Sequence, residues 1–217
     1  VKTVDNPAIN YNKGEVPVKP GRPLIEKGVL RTPAFCLIIL SMESKEMLAL
    51  AAEVGEGLRG KGLNLGVAES CTGGRLAALI TAVPGSSDYF LGGVVAYHNR
   101  VKRRALKIPA GRLRRFGAVS PETAAAMAGN IRKVTGGRIG LSITGIAGPA
   151  GGSPEKPVGL VYLGFSTRKV RKVFECRFPG TREEIRRQAC LEALEILRDY
   201  LADGPRFQAA PNAGKRP

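Results

Sequence analysis

The feature that most constrains this chain is a regular alternation. Short apolar, β-rich runs are followed by segments of helical period, and several strand-like runs end in polar or glycine-rich turns. Leu63 to Ala68, Gly93 to Tyr97 and Ile139 to Thr144 read as buried strands. Gly74 to Ala82, Arg100 to Leu106 and Pro121 to Val134 read as helices between them. Ser120, Pro121 and Glu122 make a helix-start signature. Val158 to Ser166 and Val170 to Phe178 then read as a hairpin around Thr167-Arg168-Lys169. A last helix starts near Thr181, with Ile185, Ala189, Ala193 and Leu197 on one face. Strands alternating with helices predict an α/β fold: one α/β/α sandwich, its mixed sheet flanked by helices.

The ends differ. Residues 1–42 hold Asn6-Pro7, Lys19-Pro20-Gly21-Arg22-Pro23 and Thr32-Pro33 and sustain no period. They read as an extension, either a flexible arm or the product of an upstream start choice, since Met42 is the first methionine. The domain is expected over 43–203, opening at a helix capped by Ser44, with a disordered tail over 204–217. No apolar run reaches the roughly 18 residues of a spanning helix, so a cytoplasmic protein without a membrane partner is expected.

Thirty-four Lys and Arg against eighteen Asp and Glu give a net charge of +16. Such an excess suggests an anionic partner. The densest cluster runs from Arg100 to Arg115, and a second holds Arg168, Lys169, Arg171 and Lys172. A solvated basic face explains the same residues. Cys36, Cys71, Cys176 and Cys190 form no C-x-x-C pair, and His98 is the only histidine. A zinc site needs about four N or S ligands, so no metal and no cofactor are expected.

Three segments fall where strands should end. Ala68-Glu69-Ser70-Cys71-Thr72-Gly73-Gly74 opens a helix and could form an oxyanion hole, a phosphate cradle or a plain turn. Tyr97-His98-Asn99-Arg100-Val101-Lys102 offers a lysine, which serves as a base only if burial or neighbouring cations depress its pKa. The segment from Thr144 to Pro157, with four glycines after Thr144 and three prolines, can present N–H groups to an anion or be a surface loop. It has no Walker A spacing.

These segments follow one another with Pro84-Gly85-Ser86-Ser87, Gly92-Gly93-Val94-Val95-Ala96-Tyr97, Gly117-Ala118-Val119-Ser120 and Glu155-Lys156-Pro157-Val158-Gly159. Their order and spacing resemble the CinA C-terminal domain family, the nicotinamide mononucleotide amidohydrolases, over roughly residues 44–202. The resemblance implies hydrolysis of the carboxamide of nicotinamide mononucleotide to nicotinate mononucleotide and ammonia, a step of pyridine nucleotide salvage. It implies a metal-free Ser–Lys mechanism, with Ser70 as nucleophile, Lys102 as base, and Thr72 as the other hydroxyl of the same turn. N–H groups around Thr72, Gly73 and Gly74 would hold the oxyanion. Thr144, Gly145 and Gly148 would hold the nucleotide beside Asn99, Tyr97 would border the pyridine ring, and Arg182 or Arg186 would pair with the phosphate. The partner implied is a small nucleotide substrate, and a homo-oligomer is expected. His98 departs from the small hydroxyl residue expected there, and 42 residues are too few for the larger N-terminal domain many members carry.

Rival readings are a Cys71–His98 nucleophile pair, a nucleic-acid-binding module and a nucleotide sensor without turnover. Low aromatic content, 6% with no tryptophan, argues against nucleic acid as the primary partner.

Overall fold

The computed structural model describes residues 34–208, with side chains from Lys45 onward. Five strands form one sheet in the order β2-β1-β3-β4-β5. They are β1 (Leu65–Glu69), β2 (Phe90–Val95), β3 (Ile139–Gly145), β4 (Leu160–Ser166) and β5 (Arg171–Arg177). β1 pairs in parallel with β2 and β3, whereas β4 and β5 are antiparallel, so the sheet is mixed. Six helices flank it: α1 (Ala34–Gly60), α2 (Arg75–Thr81), α3 (Asn99–Arg104), α4 (Ala110–Phe116), α5 (Pro121–Thr135) and α6 (Arg182–Leu201).

Every residue of central β1 is buried, and the period of two sorts them between faces. Leu65 and Val67 join the larger core with Val54 and Leu58 of α1, Ile80 of α2 and Leu194 of α6. Ala68 faces the smaller core with Met127 and Ile131 of α5. On that side the sheet has small residues because α5 lies close. A Cβ on Gly140 would come within 2.1 Å of the Ala128 carbonyl, and one on Gly164 within 2.4 Å of the Ala124 carbonyl. Ser142 Oγ donates to that same Ala124 carbonyl at 2.7 Å.

The helix starts follow local chemistry. Ser120 caps α5, its Oγ accepting from the Thr123 N–H at 3.1 Å. Thr181 and Glu184 form a reciprocal capping box on α6. Three expectations are corrected. α1 already runs through position 44, so Ser44 is inside a helix rather than its cap. Residues 204–208 are docked rather than loose: the Phe207 ring lies 4.8 Å from Phe165 and 5.2 Å from Tyr200, while Arg206 pairs with Asp199 at 2.9 Å. Residues 34–42 of the expected extension are likewise helical, as the first turns of α1, so the domain's first helix begins before position 43; residues 1–33 and 209–217 lie outside the described residues. Among the described residues no helix is long and apolar enough to cross a membrane.

Candidate active site

The carboxyl end of β1 leads directly into the site. The Ser70 N–H donates to the Ile143 carbonyl of β3 at 2.9 Å, and the Ala96 N–H donates to the Glu69 carbonyl at 2.7 Å. Ser70 is thereby fixed between the ends of three strands. Lys102 arrives from α3, the helix after β2, and is 1% exposed. Its Nζ lies 2.9 Å from Ser70 Oγ and donates to the Ala96 carbonyl at 2.6 Å. Burial pushes the Lys102 ammonium down to about 8, since a buried cation loses its hydration. The cause is burial and not the neighbouring arginines that the sequence also offered.

The rival cysteine pair is corrected. Burial raises the Cys71 thiol to about 11, so it stays protonated near neutral pH. His98 is exposed and spends Nδ1 as the cap of α3, accepting from the Arg100 N–H at 3.1 Å. Thr72 is buried, and its Oγ1 has no hydrogen-bond partner; Lys102 bonds to Ser70 instead.

Glu69 carries no role in the sequence reading, yet it organises the turn. Its carboxylate, 1% exposed, accepts from the N–H groups of Gly74 at 3.0 Å, Leu76 at 3.2 Å and Ala77 at 2.8 Å. A carboxylate is well suited to the exposed donors at a helix start. The consequence corrects the expected oxyanion hole. The Gly74 N–H is engaged by Glu69, and the Gly73 N–H donates to the Ser70 carbonyl at 3.1 Å. The N–H groups of Cys71 and Thr72 are the other backbone donors of this turn beside Ser70. Gly73 and Gly74 serve the turn through positive φ of 64° and 96°.

The amino-terminal end of α6 joins the loops. Arg182 donates through Nη1 to the Gly148 carbonyl and through Nη2 to the Tyr97 hydroxyl, each at 2.8 Å. Arg186 Nη2 donates to the Thr72 carbonyl at 2.8 Å. Arg186 also pairs with Glu183 at 3.5 Å, and Glu183 holds Arg75 as well. Tyr97 remains 59% exposed, so its ring is open to a ligand. Asn99 begins α3 and is exposed. Thr144 turns inward, its Oγ1 donating to the Ala118 carbonyl at 2.8 Å, and Gly145 pairs with Val161. These two build the loop's base instead of offering it a free hydroxyl. Lys156, also without an assigned role from sequence, pins the loop by donating to the carbonyls of Phe116 at 3.1 Å and Val119 at 2.7 Å. The described residues gather no group of three or more His, Cys, Asp or Glu that could hold a metal ion.

Ser70 and Lys102 thus meet, buried, at the carboxyl ends of the strands of an α/β sheet, where ligands of such folds collect. The family follows from comparison: residues 47–201 match the CinA C-terminal domain, and the chain belongs to the CinA family. A CinA-like protein of Desulfotalea psychrophila is 51% identical over 148 residues, covering 68% of this chain and 36% of that protein. A putative competence-damage inducible protein of Moorella thermoacetica is 53% identical over 148 residues, covering 68% and 36%. The chain thus spans only about a third of the length of these curated relatives. Among solved structures, the competence/damage inducible protein CihA from Agrobacterium tumefaciens superposes with a TM-score of 0.69 at 39% identity, covering 72% of this chain and 95% of that one.

Proposed function

We propose that the domain is an amidohydrolase that cleaves the carboxamide of nicotinamide mononucleotide, giving nicotinate mononucleotide and ammonia. The observation that carries this reading is the buried 2.9 Å contact between Lys102 Nζ and Ser70 Oγ. With a pKa of about 8, about a tenth of Lys102 is neutral at pH 7, roughly 300-fold more than for an unperturbed lysine.

Neutral Lys102 takes the Ser70 proton as Oγ attacks the carboxamide carbon. The carbonyl oxygen becomes an oxyanion facing the N–H groups of Cys71 and Thr72. As the C–N bond breaks, the Lys102 ammonium returns the proton to the nitrogen, which leaves as ammonia. Water, deprotonated by neutral Lys102, then attacks the Ser70 ester; Lys102 returns that proton to Oγ as the C–O bond breaks, and the freed acid gives its own proton to solvent to become the carboxylate. Losing one oxyanion donor typically costs about 2.7–4 kcal/mol of barrier. Arg182 suits the phosphate better than Arg186, because its partners, the Gly148 carbonyl and the Tyr97 hydroxyl, are neutral, whereas Arg186 is paired with the Glu183 carboxylate. Tyr97, held by Arg182, borders the pyridine ring.

The test is product analysis on the purified chain. Nicotinamide mononucleotide should yield ammonia and nicotinate mononucleotide in equal amounts. The riboside, lacking the phosphate, should react with kcat/KM lower by about tenfold or more, as expected when a charge-assisted contact is lost. Folded protein that releases no ammonia from the mononucleotide overturns the assignment.

A further inference from the structure

A charged concavity lies far from Ser70. A cavity of about 860 Å³ opens at the other end of the sheet, where β1 and β3 begin and the β4–β5 hairpin turns. Leu63 and Asn64 line it just before β1, whereas Ser70 follows the end of β1. Five strand residues at about 3.3 Å each separate the two places by roughly 17 Å. The cavity is therefore a separate feature from the site above.

Its lining is basic without compensation. Arg132 and Lys133 come from the last turn of α5, Arg138 from just before β3, and Arg168 and Lys169 from the hairpin turn, and among the described residues no carboxylate lines it. The fold thus brings the second basic cluster of the sequence beside cations some 30 residues away. Among the described residues, none of the observed ion pairs involves any of these five side chains. Arg132 is also packed in place. Its Nε is buried with no hydrogen-bond partner, and its Cβ lies against Gly140. Part of the cluster suits the α5 carboxyl end, where cations oppose the helix dipole. That explains Arg132 and Lys133 and leaves Arg138, Arg168 and Lys169 unexplained.

Geometry holds the turn that carries two of the cations. Thr167 Oγ1 accepts from the N–H groups of Lys169 at 3.2 Å and Val170 at 2.9 Å, so the turn is fixed by its own backbone while both basic side chains stay exposed. One wall is apolar: Tyr200, whose ring packs 4.7 Å from Phe165, lines the cavity with Leu63 and Val170. Concave sites of roughly 300–1,000 Å³ are the size of small-molecule pockets, and clustered Arg and Lys suit phosphate oxygens.

We propose that this cavity binds a small oligophosphate, a nucleoside triphosphate or inorganic triphosphate, at a site distinct from Ser70. A compact pocket with cations on three sides fits several phosphates close together better than an extended strand of nucleic acid.

Isothermal titration of the full chain at physiological ionic strength tests this with three probes: adenosine triphosphate, tripolyphosphate and a short single-stranded RNA. Both phosphates should bind one per chain, and Ser70→Ala should leave that binding unchanged. Tighter binding of adenosine triphosphate than tripolyphosphate would assign the Tyr200 wall to the nucleoside; equal binding would assign the site to phosphates alone. The Arg168→Ala/Lys169→Ala pair should weaken binding by about tenfold or more. Arg103→Ala/Arg104→Ala, which removes the same charge elsewhere, should not. No binding of either phosphate, equal weakening by both pairs, or tighter binding of the RNA than of tripolyphosphate overturns the proposal.

Discussion

Replacing Lys102 with methionine separates the chemistry of this lysine from its energetic cost. The folded-state pKa is about 8 against an ordinary 10.5, and the side chain is 1% exposed. Between these values the unfolded chain binds more protons than the folded one. Stability therefore rises with pH across that window. The penalty of the buried ammonium is fully present below pH 8 and vanishes above 10.5. Integrating the two titrations gives a penalty of about 3 kcal/mol at pH 7, of which about 2 kcal/mol is recovered by pH 9.5. Lys102→Met removes this proton-linked contribution. It also leaves the Ala96 carbonyl without its Nζ donor, a cost of about 1–3 kcal/mol that does not depend on pH. Urea unfolding of both proteins at pH 7 and 9.5, followed by circular dichroism, cancels the other titrating groups in the double difference. Wild type should gain about 2 kcal/mol more than Lys102→Met over that interval. Parallel pH dependences would refute the reasoning, because they would mean that Lys102 keeps an ordinary pKa in the fold.

Cys71→Ala should retain most ammonia release, since the Cys71 thiol is held protonated; loss of activity in a folded variant, read by the same product assay, would return the cysteine to the mechanism. Arg182→Ala should raise KM for nicotinamide mononucleotide by about tenfold or more, with a smaller effect on kcat, because it removes the proposed phosphate partner and the bonds to Gly148 and Tyr97. Glu69→Ala should cost about 2 kcal/mol or more in urea unfolding, as three N–H groups at the start of α2 lose their acceptor.

Much of the fold was legible because burial leaves a periodic trace. β1, β3 and the hairpin are short apolar runs, and α5 and α6 announce themselves through Ser120, Pro121 and Thr181. α4 was not legible: Ala110–Phe116 is a single basic helix that buries Leu113 and lacks a side-chain cap. Phe207 was hidden by the glycine and prolines around it, although three aromatic rings receive it. In the site, the meeting of Ser70 and Lys102 depends on parallel pairing of β1 with β2, which brings residues 32 apart into contact. The roles of Glu69 and Lys156 were not legible, because each acts on backbone groups whose positions only the folded loops define. The same reason explains the oxyanion donors. Sequence marks Gly73 and Gly74 as a turn, whereas the structure shows that their N–H groups are already engaged.

The central claim is that neutral Lys102 activates Ser70. Its most direct test is the pH profile of kcat/KM for ammonia release from nicotinamide mononucleotide by wild type, Ser70→Ala and Lys102→Met. The account predicts that the wild-type rate climbs with pH, bends near the Lys102 pKa of about 8 and then levels, and that both variants fall to background at every pH. A flat wild-type profile, or an active Ser70→Ala, would contradict it.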